Sequence, residues 1–111
     1  MLKRTCTCGN PRKDDAGESI TLSGWVNTYR DQGKGLVFID LRDKYGLTQV
    51  VFDAEDTPSA VMKIGSTLRR EDVISVSGVV RVRDGKPNPK LDTGEIELVA
   101  KEIEGINRTD T

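Results

Sequence analysis

The side chains of this 111-residue chain best placed to do chemistry are an aromatic ring, an amide, two carboxylates and a group of cations. Their chemistry is recognition. Phe38 offers a π-face on which a splayed-out base can stack. Gln49 joins a donor and an acceptor in one group, which suits the Watson-Crick edge of an unpaired base. Glu95 and Glu97 share one strand face. A carboxylate repels phosphate, so beside RNA it serves only as an acceptor for base amino or imino groups. Arg30, Lys34, Arg81, Arg83, Lys86 and Lys90 are suited to a phosphate path, and Asn88 adds a second amide among them. Each also has a plainer reading. From the pattern alone Phe38 is as much a core ring as a platform, and Gln49, Glu95 and any single cation read as solvated surface.

Covalent catalysis has little to work with. The chain has no histidine, which removes His-based acid-base pairs and Ser-His arrangements. It has no P-loop. Asp40 and Asp43 lie among Arg42 and Lys44, a pattern of ion pairing rather than of a glycosidase pair. Cys6 and Cys8 are too close in the chain for a relaxed disulfide. Without a histidine or a third cysteine they do not make a zinc site, so they read as reduced thiols of a cytoplasmic protein. No metal and no cofactor is expected. A net charge of -1 means that an RNA site must rest on a local basic patch. No apolar run approaches the length of a membrane span, and the charged start at Met1 has no apolar stretch behind it, so neither a membrane partner nor a secretory signal is expected.

The elements that must position these residues follow from periodicity. Residues 1–18 are polar and turn-rich, a lead-in packed on the domain with a short helix. In 19–30, Ile20, Leu22, Gly24 and Val26 alternate with polar residues, a half-buried strand that Gly24 bends. Residues 31–35 form a loop. A second strand over 36–40 puts Val37, Ile39 and Leu41 on one face and Leu36, Phe38 and Asp40 on the other. A tight turn at 43–46 joins it to a third strand over 47–53. Thr57 then caps a helix with Pro58 at its first position. Val61, Ile64 and Leu68 line one helical face, and Arg69 and Arg70 suit the negative end of the dipole. A fourth strand over 72–83, a loop over 84–93 and a fifth strand over 94–103 complete the pattern. The expected fold is all-β with one short helix, a five-stranded Greek-key OB-fold barrel with the helix between strands 3 and 4. The barrel domain spans 19–104, and 105–111 begins a linker. Such barrels bind oligonucleotides on strands two and three and on the loops beside them, which is where the candidate residues fall.

The motifs, taken in order, resemble a known family over nearly the whole chain. Thr5-Cys6-Thr7-Cys8-Gly9 resembles the Thr-His-Thr-Cys-Gly opening of bacterial aspartyl-tRNA synthetases. Gly24-Trp25-Val26, Arg30-Asp31, the run 38–43 and the run 46–52 are similar in order and spacing to that family's N-terminal anticodon-binding domain. So are the run 80–83, Asn88-Pro89, the run 93–97 and Ile106-Asn107-Arg108. The resemblance implies that the chain recognises the anticodon stem-loop of an aspartate-type tRNA carrying GUC. Phe38 would stack on the central anticodon base, Gln49 would read an edge beside it, and Glu97 would contact the first base, a guanine or its modified form. Arg30, Arg81, Arg83 and Asn88 would hold the loop. It tips Phe38 toward the exposed reading.

Some positions depart from the family. Cys6 replaces a histidine. Thr28 and Tyr29 stand where many relatives carry arginines. The first loop is one residue longer than in some relatives, and Gln32 and Lys86 fall near the last anticodon base. The family's ATP and aspartate sites lie in a catalytic domain after the linker, so this chain alone is expected to be no enzyme, and mainly a monomer, whereas the full-length ligase is a homodimer. The competing readings are a standalone OB-fold binder of single strands and a protein-binding scaffold built on this domain.

Overall fold

The computed structural model describes residues 5–83, 85 and 87–107, with side chains described to residue 104. Five strands close into one barrel: β1 (Ser19–Gly33), β2 (Leu36–Asp43), β3 (Gly46–Asp53), β4 (Val73–Val82) and β5 (Ile96–Asn107). Their order around the barrel is β1-β2-β3-β5-β4. A helix, α1 (Ser59–Gly65), lies between β3 and β4. This is the OB architecture anticipated from the alternating pattern.

Closure depends on β1, which pairs with β4 through Ser19 to Trp25 and with β2 from Trp25 onward. One strand can serve two neighbours only if it bends between them. The bend falls at Gly24, where an added Cβ would lie 2.3 Å from the Arg42 carbonyl oxygen. No side chain fits there, so the sequence needs glycine at the corner. The single parallel pairing, β3 with β5 at Val50↔Leu98 and Val51↔Val99, shuts the barrel on its other side.

Period-two alternation fills the interior with Leu22, Val26, Val37, Ile39, Leu41, Val50, Phe52, Ile74, Val76, Val80, Ile96 and Leu98, all at most 2% exposed. Full burial of one such side chain stabilises the fold by roughly 1.5–3 kcal/mol. The same alternation turns Leu36, Phe38 and Asp40 outward on β2. Helix α1 packs on this core. A Cβ at Gly65 would lie 2.6 Å from the Phe52 ring, and Leu68, just beyond the helix, is buried beside the barrel.

Several expected details differ. β1 runs on to Gly33, so the expected loop over 31–35 is a tight turn at Lys34-Gly35. β5 runs from Ile96 to Asn107, starting and ending later than 94–103. Thr57 does not cap the helix. Its hydroxyl accepts from the Asp53 N–H at 3.1 Å, Pro58 is the N-cap, and the first turn has no side-chain cap. Arg69 and Arg70 fall beyond the helix end at Gly65, and Lys63 is the cation in the last turn. Val61 and Ile64 are only half-buried. Asp43 forms no ion pair among the described residues. Its carboxylate accepts from the backbone N–H groups of Cys8 (2.9 Å), Tyr45 (2.8 Å) and Gly46 (3.1 Å). The lead-in carries the expected short helix, a single 3-10 turn at Lys13–Asp15. No described helix is long and apolar enough to cross a membrane.

Candidate nucleic-acid interface

The outward face of β2 and β3 is continuous with β4 and β5 on one side and β1 on the other. Cross-strand register sets Asp40 opposite Gln49, Arg30 opposite Phe38, and Arg81 opposite Glu97. These partners surround one cavity of about 470 Å³, lined by Arg30, Gln32, Leu36, Phe38, Gln49, Asp53, Arg81, Arg83 and Glu97. Its volume falls within the roughly 300–1,000 Å³ that ligand sites occupy.

A single polar network forms its floor. Glu97 is 3% exposed and Gln49 is 9% exposed. The Gln49 amide Nε2 donates to Glu97 Oε1 at 2.9 Å, and Arg81 Nε donates to Glu97 Oε2 at 2.6 Å. Arg30 donates to Gln49 Oε1 at 3.2 Å and sits 3.5 Å from the Asp40 carboxylate. Thr28 donates to the other Asp40 oxygen at 2.6 Å. The chain thus ties strands far apart in sequence into one preorganised surface.

The network leaves room for a ligand. A carboxylate has about four lone-pair sites, and Glu97 uses two among these contacts. Gln49 uses one amide hydrogen and one lone pair, leaving one of each. Glu97 can accept again, and Gln49 can accept or donate again, without losing their present partners. The half-buried Phe38 ring borders the same cavity, with the Arg30 guanidinium carbon 6.0 Å from its centroid. An aromatic edge beside spare donors and acceptors is the surface on which an unstacked base can lie and be read.

The arginines are not a bare basic patch. Arg81 also reaches Asp56 at 3.3 Å and Asp53 at 3.9 Å. Burial opposes its charge, but the hydrogen bond from Arg81 to Glu97 and the nearby carboxylates of Glu97, Asp53 and Asp56 outweigh burial and raise its pKa. Arg83 is treated oppositely. Burial lowers its pKa, Asp40 and Glu97 offset that in part, and Arg30 adds to the lowering. Arg83 Nε donates to the Ile96 carbonyl at 3.0 Å, while its buried NH2 group meets no hydrogen-bond partner among the described residues. A half-buried guanidinium with an unused donor is ready for an external acceptor.

Other expected residues fall elsewhere. Asn88 does not line this cavity. It shapes its own loop, with its N–H donating to Gly94 and its Oδ1 accepting from the Lys90 N–H. Lys34 lines a groove against α1 with Met62, Lys63 and Ser66. Lys90 lines another cavity, near the β2-β3 turn. Glu95 is exposed ahead of β5, whereas Glu97 is buried. Lys86 and Arg108 lie outside the described residues. Alternation puts Leu36 on the face of Phe38 but gives it no role, and sequence reasoning missed Asp53 and Asp56, because nothing local links the end of β3 to an arginine on β4.

Comparison with known proteins fits this geometry. A family model described as an OB-fold nucleic acid binding domain of the tRNA anticodon type matches residues 20–106. The chain belongs to this family. The aspartate-tRNA(Asp/Asn) ligase of Salinibacter ruber is 53% identical over 97% of the chain, which spans 17% of that relative's length. The ligase of the same name from Desulfatibacillum aliphaticivorans is 47% identical over 99% of the chain and 18% of its own length. The motif resemblance to aspartyl-tRNA synthetases is thereby borne out. Among solved structures, an OBody bound to hen egg-white lysozyme superposes with a TM-score of 0.81 at 27% identity, over 97% of this chain and 98% of that one.

Proposed function

We propose that this domain reads the anticodon loop of an aspartate-type tRNA. The carrying observation is the network that joins Arg81 to the buried Gln49 and Glu97 beside Phe38, on the face where OB domains take oligonucleotides. Phe38 stacks the central base of GUC. Gln49 reads an adjacent edge, and Glu97 accepts from the donor edge of the first guanine. Arg30, Arg81 and Arg83 hold the loop through phosphate or base contacts, and Asn88 acts indirectly by shaping the loop between β4 and β5. Phosphate contacts position such a loop, and stacking and edge contacts specify it.

The domain belongs, on this reading, to a longer cytoplasmic aspartate-tRNA ligase of class II, a homodimer that uses ATP in a catalytic domain beyond the linker at 105–111. The 111 residues are the recognition module and carry no ligase chemistry of their own. A protein-binding reading draws support from the OBody that holds lysozyme. The far greater identity to aspartate-tRNA ligases favours RNA.

The test is a titration of the chain with a stem-loop carrying GUC, an asparagine-type loop and a scrambled loop, followed by backbone amide shifts. The relatives' names join tRNA(Asp) with tRNA(Asn), which is why the second RNA is included. The expected result is shifts centred on Phe38, Gln49, Arg81 and Glu97 that weaken for the scrambled loop. Equal shifts with all three RNAs would instead indicate a general single-strand binder.

A further inference from the structure

Lys90, expected on the rim of the first site, sits instead on a second cavity of about 420 Å³ at the turn between β2 and β3. Three separate segments line it: Gly9, the turn from Arg42 to Leu47, and the loop from Lys90 to Thr93. Its floor is cross-braced. Asp43 binds the Cys8, Tyr45 and Gly46 N–H groups, the Thr48 hydroxyl donates to the Cys8 carbonyl at 2.6 Å, and the Thr93 hydroxyl donates to the Leu47 carbonyl. The Asp43 charge is thus shared among backbone donors.

The rim is cationic and aromatic. Arg42, Lys44 and Lys90 are all exposed, and Tyr45 is 55% exposed with Lys44 Nζ 5.1 Å from its ring centroid. The opposing rim charge is Asp92, which lies 4.0 Å from Arg12. Exposed aromatics beside cations suit single-stranded nucleic acid, because stacking and phosphate attraction act together.

Register makes this cavity a continuation of the first. Leu36, Phe38, Asp40 and Arg42 alternate on the outer face of β2, opposite Asp53, Val51, Gln49 and Leu47 on β3. Phe38 and Arg42 are four residues apart, or roughly 13 Å along a strand. Asp40, between them, has its carboxylate held by Thr28 and Arg30. A strand leaving the first cavity therefore crosses a paired carboxylate, then meets Arg42.

We propose that the turn cavity is a second RNA subsite. It takes a backbone phosphate on Arg42, Lys44 and Lys90 and an unstacked base on Tyr45, both from the same RNA strand and outside the triplet read at the first cavity. The inference rests on the anticodon reading above.

The experiment measures binding of the 111-residue chain to two labelled RNAs by fluorescence anisotropy across a salt series. One is the full stem-loop, and the other is a five-nucleotide strand centred on GUC. The proteins are wild type, Lys44→Ala/Lys90→Ala, Tyr45→Ala and Phe38→Ala, each checked for an unchanged melting temperature. The lysine pair is expected to weaken stem-loop binding about tenfold and to reduce the log-log salt slope by about 0.7, the value for one lost phosphate contact on a single strand. Tyr45→Ala is expected to cost about tenfold on the stem-loop. Both variants should bind the short RNA as wild type does. Unchanged stem-loop affinity and slope, or equal losses on both RNAs, would overturn the subsite while Phe38→Ala still weakens binding to both RNAs. If wild type binds neither RNA, the anticodon reading and the subsite fall together.

Discussion

The two cavities of the β2-β3 face are built on opposite plans. At the first, the central polar groups are buried and held by paired neighbours: Glu97 and Gln49 are nearly inaccessible and the half-buried Arg81 contacts three carboxylates. At the second, the cations stand in solvent on a braced floor. A group that discriminates between bases must be held still, since specificity comes from leaving wrong donors or acceptors unsatisfied. A group that attracts phosphate needs only charge and reach. The difference teaches that one face can separate reading from holding, and that net charge says little about either.

The largest effect should come from Glu97→Ala. It leaves Arg81 and Gln49 without their shared acceptor in a buried site, and a loss of about 2–4 kcal/mol in stability is expected from urea denaturation. Glu97→Gln keeps the shape and removes the charge. Its expected signature is about 1–3 kcal/mol of lost preference for guanine at the first anticodon position. If Glu97→Ala is as stable as wild type, the floor is not the preorganised network described here.

Next in size is Phe38→Ala, which should cost about 1–3 kcal/mol of RNA affinity through lost stacking. The fold should tolerate it better than Glu97→Ala, because the ring is only half-buried. A melting temperature lowered as far as that of a core truncation would return Phe38 to the interior. The smallest expected effect is that of Asp56→Asn. Asp56 is an exposed partner of Arg81, so stability should change by no more than about 0.5 kcal/mol. Freed from one carboxylate, Arg81 should bind RNA a few-fold more tightly in anisotropy at low salt. Weaker binding would show that Asp56 orients Arg81 rather than competing with RNA for it.

Much of this was legible in the chain. Alternation over 19–41 sorted Leu22, Val26, Val37, Ile39 and Leu41 onto one side of their strands and Phe38 onto the other, because a strand's period of two allows only two faces, and the family resemblance then tipped Phe38 outward. Gly24 announced the bend, since only a residue without Cβ tolerates so close a backbone approach. The motifs from Thr5 to Arg108 carried the family. The capping of the helix start was not legible. Thr57 has the right chemistry for a cap, but the Asp53 N–H competes for its hydroxyl, and that competitor comes from the preceding strand's end.

Which groups share a cavity follows from tertiary pairing alone. Arg30, Gln49, Arg81 and Glu97 come from β1, β3, β4 and β5, and local pattern carries no information about contacts between them. Barrel closure and register bring them within hydrogen-bonding distance. The same closure sends Lys34 to the helix side and Lys90 to the turn, although both sit in loops that sequence alone assigns to the first site. Local periodicity sets which side of the sheet a residue faces. The pairing of strands far apart in the chain sets what it faces there.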